Sequence, residues 1–286
     1  MIQTTRQLKD KIHNLSGGNS RKAQALLRIY MMERFLERVS VSKYNDNFVL
    51  KGGMLVSSLI GINTRATMDI DTTIRSFPLK LKEAKEMVSD IISIVLDDNI
   101  KFSITNATDI MEEHEYSGLR FILQANFENM KQTIKIDIST GDVITPSAIS
   151  YSYKLMFEER SISIFTYNVE TLLAEKLETI VSRGVANTRM RDFYDVYEIF
   201  YQQADKVNME NLGLAFKATC QKRKTDIFFP DIQEIITNIT ESADMAANWK
   251  NYQSQSFYVD AITWDDITVK LSEVIASIND ILTIKL

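Results

Sequence analysis

The sequence predicts an α+β protein: a sheet-containing core first, an α-helical domain second. Two observations carry the prediction. Segments with strand-like alternation are concentrated between residues 48 and 165, whereas from Val169 onward apolar residues recur with helical spacing. A third observation locates the chemistry. A glycine pair, Gly52-Gly53, stands where an apolar run gives way to a helical pattern, and the run Met68-Asp69-Ile70-Asp71 follows it.

Residues 4–15 and 20–39 read as helices, the second opened by an N-cap at Ser20 after the Gly17-Gly18 break. Phe48-Val49-Leu50 is a short strand, Gly52-Gly53 a turn, and Met54 to Ile60 a helix. Met68 to Ile74 is the next strand, Pro78 ends the connection, and Lys80 to Leu96 is helical through Leu81, Ala84, Val88, Ile91 and Val95. Residues 101–111, 118–127 and 132–139 are successive strands, and 151–157 pairs with 161–165 as a hairpin turning at Glu158-Glu159-Arg160. Helices are then expected over 169–183, 189–203, 208–222, 231–242 and 264–282. The expected domains are 1–166, comprising the N-terminal helices and catalytic core, and 167–286, all helical.

Composition narrows the function. Hydrophobic content of 45% with 25% charged residues describes a globule with a substantial core, and no apolar run is long enough to span a bilayer. No signal-peptide layout opens the chain, so it is expected in the cytoplasm. A lone Cys220 excludes an internal disulfide, and with His13 and His114 as the only histidines a Cys/His zinc site is effectively excluded. Any metal should be a hard ion held by oxygen, Mg²⁺ or Mn²⁺. A net charge of −5 argues against wrapping long duplex nucleic acid. Two local clusters are basic, Arg6 to Arg28 and Lys217-Lys222-Arg223-Lys224, and each reads as a solvated helix face.

In a strand, alternate side chains share a face, so Asp69 and Asp71 should point together while Met68 and Ile70 enter the core. Paired carboxylates can hold a divalent metal. The glycines before them let a backbone approach a phosphate, whose charge the helix start favours. Metal, phosphate and glycine turn are what phosphoryl or nucleotidyl transfer requires. No Gly-Lys-Ser/Thr follows, so the turn is not a P-loop. Asp137, between Ile136 and Ile138 and on one face with Lys135 and Ser139, is a candidate third carboxylate. An aspartate on the solvent face of an amphipathic strand would read the same way.

Two charges interrupt apolar helix faces in the second half. Lys176 falls within the arc of Leu172, Leu173, Leu177 and Ile180, where it snorkels to the surface, pairs with a buried acid, or faces a cleft and binds a triphosphate oxygen. Asp192 lies on the flank of the face built by Phe193, Val196, Tyr197 and Phe200 and is expected to be the inward acid. Asp195 falls on the opposite side, where a surface pair with Arg191 suffices. The aromatics Tyr194, Tyr197, Phe200 and Tyr201 read as core.

Taken in order, Gly52-Gly53, Arg65-x-Thr67-x-Asp69-x-Asp71, Glu175-Lys176-Leu177 and Arg191-Asp192-Phe193-Tyr194-Asp195 resemble the AbiEii/AbiGii toxin family of nucleotidyltransferases, within the DNA polymerase β-like superfamily. The resemblance covers roughly residues 45–205. It implies a polymerase β-like core with a mixed sheet and a toxin of an abortive-infection, antiviral toxin–antitoxin system, encoded with a cognate antitoxin. It further implies Mg²⁺-dependent transfer of a nucleotide from an NTP, GTP being associated with the family's namesake, to an acceptor such as the 3′ end of tRNA, with no membrane partner. By position it makes Asp69 and Asp71 metal ligands, with Asp137 added by superfamily analogy, and Lys176 and Asp192 catalytic. Gly52, Gly53, Arg65, Thr67, Arg191 and Asp195 become substrate-binding residues. The superfamily usually has Gly-Ser where this chain has Gly52-Gly53, and Thr67 is the candidate to replace the missing hydroxyl. The competing readings are an idle nucleotide-binding interaction module and a transferase acting on a small molecule.

Overall fold

The computed structural model describes residues 1–76, 80–111, 117–259 and 261–283; Pro78 and His114, named above, lie outside them. The chain forms two compact units. The first is Met1–Asp142 with Ile149–Thr166, and the second is Val143–Ala148 with the chain from Tyr167 onward.

The first unit is a seven-stranded mixed sheet with helices. Helices α1 (Thr5–Ser16) and α2 (Ser20–Ser40) lead into β1 (Phe48–Lys51), α3 (Gly52–Ile60), β2 (Ile70–Ile74) and α4 (Leu81–Ser93). Then come β3 (Ile100–Met111), β4 (Ser117–Phe127), β5 (Met130–Thr140), β6 (Ile149–Lys154) and β7 (Ser161–Thr166). The strand order is β3-β4-β5-β2-β1-β7-β6. β2 runs parallel to β5 and β1 parallel to β7, while the other neighbours are antiparallel. Alternation in β5 buries Ile134, Ile136 and Ile138, and α2 packs against this strand and β7 while α4 packs against β3.

Helix α2 is buried along most of its length and brings charge into the core. Arg38 donates to both carboxylate oxygens of Asp98 at 2.7 and 2.9 Å, and to the Ile94 and Ile100 carbonyls. Such a pair is tolerable inside a protein because every charged atom finds a partner. Glu33, fully buried, accepts from the Met156 N–H at 3.1 Å.

The second unit is helical: α5 (Val169–Arg183), α6 (Met190–Gln203), α7 (Met209–Arg223), α8 (Ile232–Glu241), α9 (Ala243–Gln255) and α10 (Trp264–Thr283). Asn168 caps α5 by accepting from the Thr171 N–H at 2.7 Å. α5 packs on α6 and α7, and α10 on α6, α7, α8 and α9.

Five expectations are corrected. The N-cap of α2 is Asn19, whose side chain accepts from the Lys22 N–H at 3.0 Å, and Ser20 is the first helical residue. β2 begins at Ile70, and Met68 lies 54% exposed instead of in the core, because the chain is still bending at Asp69. α4 stops at Ser93: Ile94 is extended, and Val95, counted in the helical stripe, is exposed. α9 went unseen because its sequence is mostly polar, with Met245, Trp249 and Tyr252 as its apolar anchors and Ser242 as N-cap. The Lys217 to Lys224 cluster is not simply a solvated face, since Lys217 is buried and Arg223 pairs with Glu175 at 3.3 Å and with the buried Glu178.

Candidate functional site

The first unit gathers three carboxylates. Parallel pairing of β2 with β5 sets Asp71 directly opposite Asp137, and Asp69 sits immediately before β2. One oxygen of each of Asp69, Asp71 and Asp137 lies within 4.8 Å of the others, and all three residues are half-buried. Such a cluster repels itself unless cations stand by. Lys135 Nζ lies 2.6 Å from Asp69 Oδ2 and 3.4 Å from Asp137 Oδ2, and Arg120 donates through Nε and Nη2 to the two oxygens of Asp137, each at 2.8 Å. Burial alone would lower the Lys135 pKa, but the hydrogen bond and charge of Asp69, with Asp137 behind it, raise it above the ordinary lysine value. The hydrogen bond to Asp137 likewise raises Arg120. Both cations are fully charged at neutral pH.

The glycine pair is packed against these acids. Gly52 has φ +63°, a left-handed conformation that glycine adopts without a steric penalty. A Cβ there would stand 2.2 Å from Asp71 Oδ2, so the start of α3 lies against the Asp71 carboxylate. A Cβ on Gly53 would stand 2.6 Å from Thr67 Oγ1 and 3.2 Å from Arg65 Nη2. The Thr67 hydroxyl therefore fills the space into which a side chain at position 53 would grow. Arg65 and Thr67 are both buried, and the turn that carries them is held by Ser57 Oγ donating to the Arg65 carbonyl at 2.6 Å. On β1, Lys51 faces Asp71 in register and gives its ammonium to Asp142 at 2.6 Å.

The donor set is all oxygen, as a hard divalent cation prefers, with no histidine or cysteine in the cluster. Asp69, Asp71 and Asp137 could hold such an ion, with the Lys135 ammonium balancing the remaining charge. Next to the helix start, that arrangement can bind and polarise a phosphate chain.

The second unit gathers a different cluster. Lys176 Nζ lies 3.0 Å from Asp192 Oδ1 and 2.6 Å from Asp195 Oδ2, joining α5 to α6 in the interior. Arg189 Nε approaches the other Asp192 oxygen at 3.1 Å. Of the three readings open for Lys176, the geometry shows the pairing with buried acid. Asp195 corrects the helical-wheel expectation: it is 0% exposed and bound to Lys176, not a surface partner of Arg191. The wheel assumed one buried stripe, whereas α6 is covered by α5, α9 and α10 together. Tyr194 is core as expected, packed against Tyr258, but Tyr201 is exposed and stacks on Tyr197 at 6.1 Å.

Sequence reasoning placed Lys135 beside Asp137 without giving it a role, and missed Arg120. Strand alternation could have recruited Lys135, but Arg120 needed the β4–β5 register.

A family model described as nucleotidyl transferase AbiEii toxin, type IV TA system, matches residues 34–269. In three dimensions the chain is similar to JHP933 from Helicobacter pylori, with a TM-score of 0.53 and 14% identity over 91% of this chain and 93% of that one. A candidate nucleotidyltransferase from H. pylori superposes with a TM-score of 0.49 and 14% identity, covering 91% of this chain and 96% of that chain. No curated protein matches the chain in sequence. Among the described residues, no helix is long and apolar enough to cross a membrane.

Proposed function

The chain belongs to the AbiEii family of nucleotidyltransferase toxins of type IV toxin–antitoxin systems, and from that premise we propose that it transfers a nucleotide from an NTP, GTP among the candidates, to the 3′ end of an RNA such as tRNA. The observation that carries this reading is the convergence of Asp69, Asp71 and Asp137 against the glycine start of α3.

In this reading the acceptor's 3′-hydroxyl oxygen attacks the α-phosphorus of the NTP. A new P–O bond forms as the α–β phosphoanhydride bond breaks, pyrophosphate leaves, and the hydroxyl proton passes to a carboxylate of the cluster. A Mg²⁺ or Mn²⁺ ion held by Asp69, Asp71 and Asp137 would supply Lewis-acid stabilisation of the phosphoryl oxygens. Gly52 and Gly53 keep the phosphate-facing backbone free of side chains. Thr67 offers the hydroxyl that Gly53 lacks, and Arg65, packed behind Gly53, adds positive charge. Lys135 and Arg120 offset the mutual repulsion of the acids and hold them in place. In the helical unit, Lys176, Asp192 and Asp195 act as a positioning cluster that ties α5 to α6. The family brings with it an antitoxin partner.

The test is incubation of the protein with each α-³²P-labelled NTP, Mg²⁺ and total cellular RNA, alongside Asp69→Ala and Asp71→Ala. Label should enter RNA with the wild type and fall by at least about 10²-fold in either variant. Equal labelling by the variants would remove the acid cluster from the chemistry. Label entering protein or a small molecule while RNA stays unlabelled would replace the acceptor.

A further inference from the structure

The acid cluster continues into a surface that the nucleotide chemistry does not use. Strand alternation turns Phe121, Leu123, Ile134 and Ile136 into the core, so the opposite face of β3, β4 and β5 is polar apart from half-buried Ile122 and reaches solvent. Cross-strand register arranges that face in rows, from Arg120 beside Asp137 at one end, past Lys135, to the row Lys101–Asn126–Lys131 at the other. From Asp137 to Lys131 the track is about 20 Å long at the strand rise of about 3.4 Å per residue.

Its charge is distinctive. The whole chain carries −5, yet beyond Arg120 and Lys135, which are taken up by the acid cluster, the rows of this face carry Lys101 and Lys131 and no acid. Lys101 and Lys131 are exposed and make no ion pair among the described residues. Glu128, in the β4–β5 turn, is already engaged by the Thr5 hydroxyl at 2.6 Å and the Thr5 N–H at 3.0 Å. No aromatic side chain stands in the rows, so the face offers charge and hydrogen bonds to a backbone and nothing for bases to stack on.

We propose that this face is the acceptor track. A single-stranded RNA segment lies along β3–β5 with its phosphates on Lys101 and Lys131, and its terminal hydroxyl reaches the acid cluster at the Asp137 end. The proposal rests on the RNA-acceptor reading above. It names the surface that grips the RNA and makes the grip independent of base sequence, since phosphates position and base edges specify.

The experiment measures binding of an unstructured, fluorescein-labelled oligoribonucleotide by anisotropy across a salt series, using the full chain, Lys101→Ala/Lys131→Ala, and Lys85→Ala on exposed α4 as control. Each single-strand phosphate contact contributes about 0.7 to the slope of log affinity against log salt, so the double variant should lose about 1.4 of slope and bind more weakly whatever the sequence. Lys85→Ala should match the wild type, and Lys101→Arg/Lys131→Arg should recover most of the slope. Thermal melting monitored by circular dichroism identifies a misfolded variant, and Lys101→Gln/Lys131→Gln then decides in its place through the same loss of slope. Wild-type RNA binding with an unchanged slope in the alanine pair overturns the track while leaving RNA as acceptor. Absence of wild-type RNA binding, with label passing to another acceptor, overturns both.

Discussion

Replacing Gly52 by alanine tests whether one residue both shapes the backbone and aims a carboxylate. Its φ of +63° lies in the left-handed region, which costs a residue with a Cβ about 1–2 kcal/mol. The added methyl would also stand 2.2 Å from Asp71 Oδ2 and 2.8 Å from Asp71 Cβ, so both ends of that side chain are too close to be relieved by a terminal rotation. Either α3 or the start of β2 must move. The backbone cost alone should lower the melting temperature by about 2–8 °C at about 2–4 °C per kcal/mol. Displacing a supported ligand should weaken binding of Mn²⁺ by about 10–100-fold. Calorimetric titration with Mn²⁺ and a melting curve read the two effects separately. Gly53→Ala is the contrasting variant, because its backbone is not left-handed and its clash is with Thr67 Oγ1 instead. A Gly52→Ala variant that melts like the wild type and binds Mn²⁺ equally well would refute the argument that Asp71 is held against the start of α3.

Three further outcomes are expected. Lys135→Met removes the ammonium from Asp69 and Asp137. The metal-free protein should lose about 0.5–1 kcal/mol, and its melting point should rise more on adding Mn²⁺ than the wild type's does; equal rises would show that Lys135 does not neutralise the cluster. Glu33 is raised from 4.5 to about 8, first by burial, and the folded state therefore holds its proton more tightly than the unfolded one. Its stabilising contribution is full below pH 4.5 and is lost as pH climbs to about 8, so urea unfolding should show a decline across that window that Glu33→Gln flattens. Lys176→Met takes the shared ammonium from the buried acids Asp192 and Asp195, which should cost about 3–5 kcal/mol in denaturant unfolding of the helical unit. A loss under about 1 kcal/mol would mean that the two acids are relieved by protonation or by other partners.

Legibility in the sequence varied with the range of the interaction. Local patterns carried most elements: β5 was visible in its alternating isoleucines, and α5 in its apolar arc. α9 was not, because a helix anchored by three apolar residues among polar ones has little periodicity and forms largely through the aromatic cluster of Trp249, Tyr252 and Trp264 around it. Within the candidate site, Asp69, Asp71 and Gly52-Gly53 stood out through spacing alone. Asp195 was misplaced because a helical wheel identifies one face, and a helix packed by three neighbours has several.

By itself the sequence determined which residue types were available: hard oxygen ligands without zinc chemistry, a glycine pair at a strand-to-helix junction, and a lysine with two acids on two helices. Those are properties of composition and of separations along a few turns or strand residues. Only the tertiary structure decided that Asp71 stands opposite Asp137, that Arg120 and Lys135 balance the acids, and that Thr67 fills the space beside Gly53. Those facts depend on strand order and register, which arise when non-neighbouring segments bury their apolar faces together. No spacing within a single segment encodes them.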